Sequence, residues 1–125
     1  MNGYKTATVA EPAGQSAAPE KARAAAAAYA REVRASFGPR ALGIRLYGSA
    51  ARGDWSVDSD VDVLVLLDRE EPDDMERLVK MAYRIGLTER RLLLQPVMLT
   101  AGEFQRLIDR ERRFARDVVR EGIAL

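Results

Sequence analysis

The run VDVLVLL, from Val61 to Leu67, is the strongest constraint on what this chain can fold into. Val and Leu favour a pleated strand, and here they fill odd and even positions alike, with Asp62 the one exception. A strand with one face in water alternates apolar and polar residues, whereas a strand covered on both faces has no reason to. The run therefore predicts a central strand with protein packed on both sides, ended by Asp68 and the charges that follow.

Neighbours for such a strand can be read on either side of it. ALGIRLY alternates Leu42, Ile44 and Leu46 against Gly43, Arg45 and Tyr47, the two-residue period of a half-buried strand. RLLLQPVML supplies a third strand, and its Pro96 places it at an edge or a bulge, because proline cannot donate to a ladder. Helices are predicted between and around the strands. PEKARAAAAAYAREVRASFG is rich in helix formers, has Tyr29, Val33 and Phe37 at four-residue spacing, and stops at Gly38-Pro39. EPDDMERLVKMAYRIG begins with Pro72 and acids and carries Met75, Leu78, Val79 and Ala82 as its apolar stripe. Thr100 and Glu103 form a capping box, followed by one or two helices to Arg120 with Phe104, Leu107, Ile108, Phe114, Ala115 and Val118 as the stripe. The order predicts an α/β or α+β fold, a small sheet with helices packed on it.

Residues 2 to 19 are rich in Ala, Thr, Ser, Gly and Pro without apolar periodicity, which predicts a flexible leader over residues 1–19 and one domain over 20–125. With no cysteine and no histidine, disulfides, thiolate zinc sites, cysteine nucleophiles and imidazole acids or bases are excluded. Any chemistry must use carboxylates and oxygen-ligated metals. No segment has the length of a signal peptide or a membrane span, so the expected location is the cytoplasm. Twenty basic residues against nineteen acidic ones give no global reason to expect a nucleic acid as the main partner.

The chemistry is concentrated in LYGSAARGDWSVDSDVDVLVLL, Leu46 to Leu67. Gly48 permits close backbone approach, and Ser49, Ala50 and Ala51 can open a short helix whose free amides attract an anion, with Arg52 adding a positive charge. Asp60 and Asp62 project from one strand face with backbones roughly 7 Å apart. No Lys or Arg lies between Arg52 and Arg69, so a hard divalent cation such as magnesium is a suitable partner for the two carboxylates. Taken alone, the acidic pair reads first as a solvated loop end and GSAARG as a turn capped by Ser49. Together they supply what transfer from a nucleoside triphosphate requires: a cradle for phosphates and a cation to neutralise them.

The same stretch resembles the signature of the polymerase-beta-like nucleotidyltransferase superfamily, in particular its minimal nucleotidyltransferase (MNT) members, many of which are antitoxins beside a HEPN-domain toxin. Weaker resemblance runs through QPVMLTAGEFQRL and FARDVVREGIAL. The resemblance implies a small polymerase-beta-like fold with a short mixed sheet. It implies that Gly48 and Ser49 contact the nucleotide phosphates, that Arg52 supports the phosphates or the turn, and that Asp60 and Asp62 bind Mg2+ and carry catalysis. The substrate implied is ATP, the reaction AMP transfer to a protein partner such as a HEPN toxin. Active relatives also place a third carboxylate on the following strand. RLLLQPVML has none, and Gln95 is its uncharged polar residue. Glu89 before that strand reads as a solvated turn residue and Glu103 after it as a helix cap. The departure favours, as the alternative function, an antitoxin that neutralises its partner by binding alone. A chain this small leaves the acceptor surface to a partner or to a homo-oligomer.

Three further features have plainer readings. Ser59 holds the shape of the loop. Trp55 either stacks on a base or partner or packs across the loop. Arg106, Arg110, Arg112, Arg113, Arg116 and Arg120 are interleaved with Asp109, Glu111, Asp117 and Glu121, which reads as a solvated face of ion pairs.

Overall fold

Val61–Leu67 is an inner strand because three other segments pair or stack around it. The computed structural model describes residues 13 to 125 except Val57; the part of the expected leader before Ala13 lies outside the described residues. β1 (Ala41–Tyr47) runs antiparallel to β2 (Val61–Leu67), and β3 (Leu94–Thr100) runs parallel to β2. A two-residue strand, β4 (Ile123–Ala124), pairs with the outer side of β1, so the order is β3-β2-β1-β4. The helices are α1 (Ala13–Phe37), α2 (Ser49–Arg52), α3 (Asp74–Ala82), α4 (Ala101–Asp109) and α5 (Arg113–Glu121). This is the small α+β architecture with a mixed sheet that the sequence predicted.

Both faces of β2 are covered, which is why its apolar residues do not alternate. Val61, Val63, Val65 and Leu67 pack with Ile44 and Leu46 against the alanine face of α1, where Ala22, Ala25 and Ala26 let the helix approach closely. The buried Tyr29 hydroxyl donates to the Leu78 carbonyl at 3.0 Å and ties α1 to α3. On the other face Leu64 packs with Phe104, Ala115 and Val118 of α4 and α5. Pro96 lies on the edge strand, as predicted. Val61 N–H donates to the Leu93 carbonyl, which turns the odd residues of β3 toward β2 and leaves the missing N–H of Pro96 on the unpaired side.

Four details depart from the sequence reading. Helix α1 begins at Ala13 rather than after Pro19: the backbone of AGQSAA is already helical, and Pro19 removes one bond without ending the helix. Leu42 is 54% exposed instead of buried, because the β1–β2 register shifts between Ala41 and Gly43 and Leu42 is the extra residue of a bulge. In α3 the buried residues are Asp74, Leu78 and Ala82, while Met75 and Val79 face outward. That helix continues as a π-helical turn, Tyr83–Thr88, and the two C-terminal helices α4 and α5, within the one or two expected, are followed by an unexpected strand, β4. The Thr100–Glu103 capping box is present as predicted.

Candidate nucleotide and metal site

The crossing from β1 to β2 brings the two halves of the motif together. Tyr47 and Asp62 are register partners on antiparallel strands, so Gly48, the residue that follows β1, turns directly beside Asp62. Gly48 has φ +74° and ψ −155°, a conformation reserved for glycine. A Cβ built there would collide with Asp62 Oδ2 and lie 3.3 Å from Asp62 Cγ. The absent side chain is therefore the space the carboxylate occupies. The Gly48 carbonyl accepts from the amides of Ala51 and Arg52, each at 3.1 Å, which closes the single turn of α2 behind it. Ser49 and Ala50 stand at the open end of that turn, where backbone amides have no intrahelical acceptor.

Asp62 is half-buried, and no hydrogen bond contributes to its ionisation. Burial first, and then the neighbouring Asp60 charge, push its pKa above the ordinary carboxylate value, while Arg52 opposes them. Asp60 stands just before the strand with its side chain exposed. Burial, with the Asp62 charge added, likewise pushes the Tyr47 hydroxyl up to about 12. Two carboxylates side by side, one of them half-buried without a donor, form a site whose unfavourable charge a divalent cation would relieve.

The other residues singled out in the sequence divide clearly. Arg52 reaches Asp54 at 3.5 Å and Glu121 at 3.4 Å, so its guanidinium links α2 to the end of α5 while its charge acts on Asp62. The Ser59 hydroxyl lies 3.2 Å from that of Ser56 and its amide donates to the Ser56 carbonyl, holding the loop. Trp55 packs across the loop rather than standing in solvent: it is 6% exposed, and its indole N–H donates to the Asp60 carbonyl. Sequence reasoning left that choice open, since a single residue in a loop carries no periodicity.

Gln95 is the register partner of Asp62 on β3, so the position beside the acidic pair is an amide. Glu103 is bound to the Thr100 amide at 2.8 Å; Thr100 is the partner of Leu67, five residues along the strand and thus roughly 16 Å from Asp62. Glu89 is exposed and paired with Arg84 and Arg90. Among the described residues no group of three or more acidic side chains is placed to share a metal ion. The arginine face of α4 and α5 is solvated but scarcely paired: of its six arginines, only Arg120 has an acidic partner among the described residues, Asp117 at 3.6 Å. No helix among them is long and apolar enough to cross a membrane.

Comparison with known proteins gives the family and the fold. The profile of the nucleotidyltransferase domain matches residues 28–124. The chain belongs to the nucleotidyltransferase domain family. The match takes in α1 from its middle, all four strands and both C-terminal helices, so the family is carried by the whole fold as well as by the motif. The 1.40 Å crystal structure of a candidate nucleotidyltransferase from Sulfolobus solfataricus is similar in fold, with a TM-score of 0.54 and 19% identity over 93% of this chain and 89% of that one. A search of curated proteins gave no match. The fold is thus the polymerase-beta-like one that the motif implied.

Proposed function

We propose that this nucleotidyltransferase domain uses Mg2+ and ATP to transfer AMP to a hydroxyl of a protein partner, such as a HEPN-type toxin. The observation that carries the reading is the seat of the Asp62 carboxylate in the space left by Gly48, which joins the phosphate-facing turn to the acidic pair in one site. In the reaction the acceptor oxygen bonds to the α-phosphorus, the bond to the α–β bridging oxygen breaks, pyrophosphate leaves, and the acceptor releases its proton. Asp60 and Asp62 would hold the cation, whose chemistry is to neutralise charge on the phosphates. Gly48 and Ser49 would lie against the phosphates through backbone amides, and Arg52 would add positive potential from the side.

A second reading has its own observation: Gln95 stands where a third carboxylate would complete the acidic cluster. On that reading the chain is an antitoxin that acts by forming a complex. Incubation with labelled ATP, Mg2+ and the product of the neighbouring gene separates the two. The enzyme reading expects label on that partner, lost in Asp60→Asn/Asp62→Asn. Neutralisation that survives the double variant without any label in the wild type would instead establish the binding reading.

A further inference from the structure

We propose that Trp55 is a positioning residue for the cation site, holding the peptide unit that follows Asp60 and thereby the direction of the Asp60 carboxylate relative to Asp62. The inference rests on the reading of Asp60 and Asp62 as cation ligands and extends it to a residue outside the motif's acidic and glycine positions.

The geometry is specific. Trp55 is 6% exposed and belongs to the larger core cluster, the one built between the sheet and α1. From there its N–H donates to the Asp60 carbonyl at 3.2 Å. The other polar end of the same peptide unit, Val61 N–H, donates to the Leu93 carbonyl at 2.8 Å. A peptide unit is planar, so fixing its carbonyl and its amide fixes the plane. That plane separates the two carboxylate-bearing residues. Asp60 itself lies outside the β1–β2 ladder, whose last pair is Tyr47 with Asp62, so no strand partner performs this task for it. Ring packing alone would need no donor. The nitrogen aimed at this one carbonyl is what assigns Trp55 to the site. Trp55 is also the only tryptophan in the chain, which makes it an intrinsic reporter of events at Asp60.

The test uses the full chain and manganese alone as the probe, titrated by electron paramagnetic resonance. Trp55→Phe keeps an aromatic ring and removes the donor. It is expected to weaken manganese binding about fivefold, the scale of one hydrogen bond lost. In the wild type, the indole N–H resonance is expected to move on magnesium titration with the same midpoint as the Asp62 amide, a readout that needs no variant. A folded Trp55→Phe that binds manganese as tightly as the wild type, or an indole resonance that stays still while the Asp62 amide moves, overturns the role of Trp55 and leaves the cation site standing. A wild type that binds no manganese overturns the cation site and this inference together.

Discussion

At the scale of single residues, the site depends on what two positions lack. Gly48 lacks a Cβ, and the Asp62 carboxylate takes its place. Gln95 lacks a charge, and so the pairing position beside Asp62 offers an amide that can neither ligate as a carboxylate nor accept a proton. Gln95 is exposed on an edge strand, so replacing it should alter stability by less than about 0.5 kcal/mol. Gln95→Asp is therefore expected to tighten Mg2+ or Mn2+ binding and to raise the rate of label transfer, measured by metal titration and by single-turnover assay. Tighter metal binding with no gain in transfer would place the limit on the acceptor side instead. Gly48, Ser49, Asp60 and Asp62 could be singled out as candidates in the sequence because they lie in one contiguous stretch. The burial of Trp55 could not be read there, because the core cluster it joins is assembled from segments far apart in the chain, from Ala22 of α1 to Leu94 of β3.

At the scale of elements, α3 shows why a helical stripe can be read one step off. Met75, Leu78, Val79 and Ala82 satisfy helical spacing, yet the helix turns Asp74 inward with Leu78 and Ala82 and leaves Met75 and Val79 outside. The cause is Arg40, from the 3₁₀ turn Gly38–Arg40 after α1: it donates to Asp74 Oδ1 at 3.0 Å, and the Glu71 amide donates to Asp74 Oδ2 at 2.7 Å. Thirty-four residues separate Arg40 from Asp74, so no local pattern announces the pair. The hydrogen bonds from Arg40, and then the one from the Glu71 amide, hold the Asp74 pKa below the ordinary value against the opposing effect of burial. A carboxyl with a lowered folded pKa stabilises fully above its unfolded value, about 3.9, and loses that contribution as pH falls through the folded pKa. Glu103, lowered by the Thr100 amide and hydroxyl, acts in the same direction. Asp74→Ala should thus be less stable than the wild type by about 3 kcal/mol at pH 7, and the difference should shrink below about pH 4. Denaturant unfolding at pH 7, 5 and 3 checks both the size and the trend; a difference independent of pH would mean that packing, not the ion pair, sets the cost.

At the scale of the whole molecule, the sequence revealed the sheet's centre and its proline edge but not its other edge. β4 is two residues long, too short for any period, and exists because Leu46 and Arg45 offer an open ladder to Ile123 and Ala124. That last strand matters to the site, since it fastens the end of α5, and Glu121 of α5 pairs with Arg52 beside the Gly48 turn. The two halves of the site are likewise held by different layers: Ala50 and Trp55 are buried in the α1 layer, while Tyr47 packs edge-on to Phe114 of α5, with ring centroids 5.3 Å apart. Unfolding separates these layers, so a ligand that needs both Gly48 and Asp62 binds the folded chain alone. Mg-ATP at a hundredfold excess over its Kd should then add about 2.7 kcal/mol. For a domain of this size that raises Tm by about 10 °C, measured by calorimetry at fixed ionic strength. Asp60→Asn/Asp62→Asn should lose the shift, because the cation that balances the triphosphate charge would no longer be held there. An equal shift with ATP in the presence of a chelator would show that the turn and Arg52 hold the nucleotide without a cation. That outcome would assign the two carboxylates to something other than the phosphates.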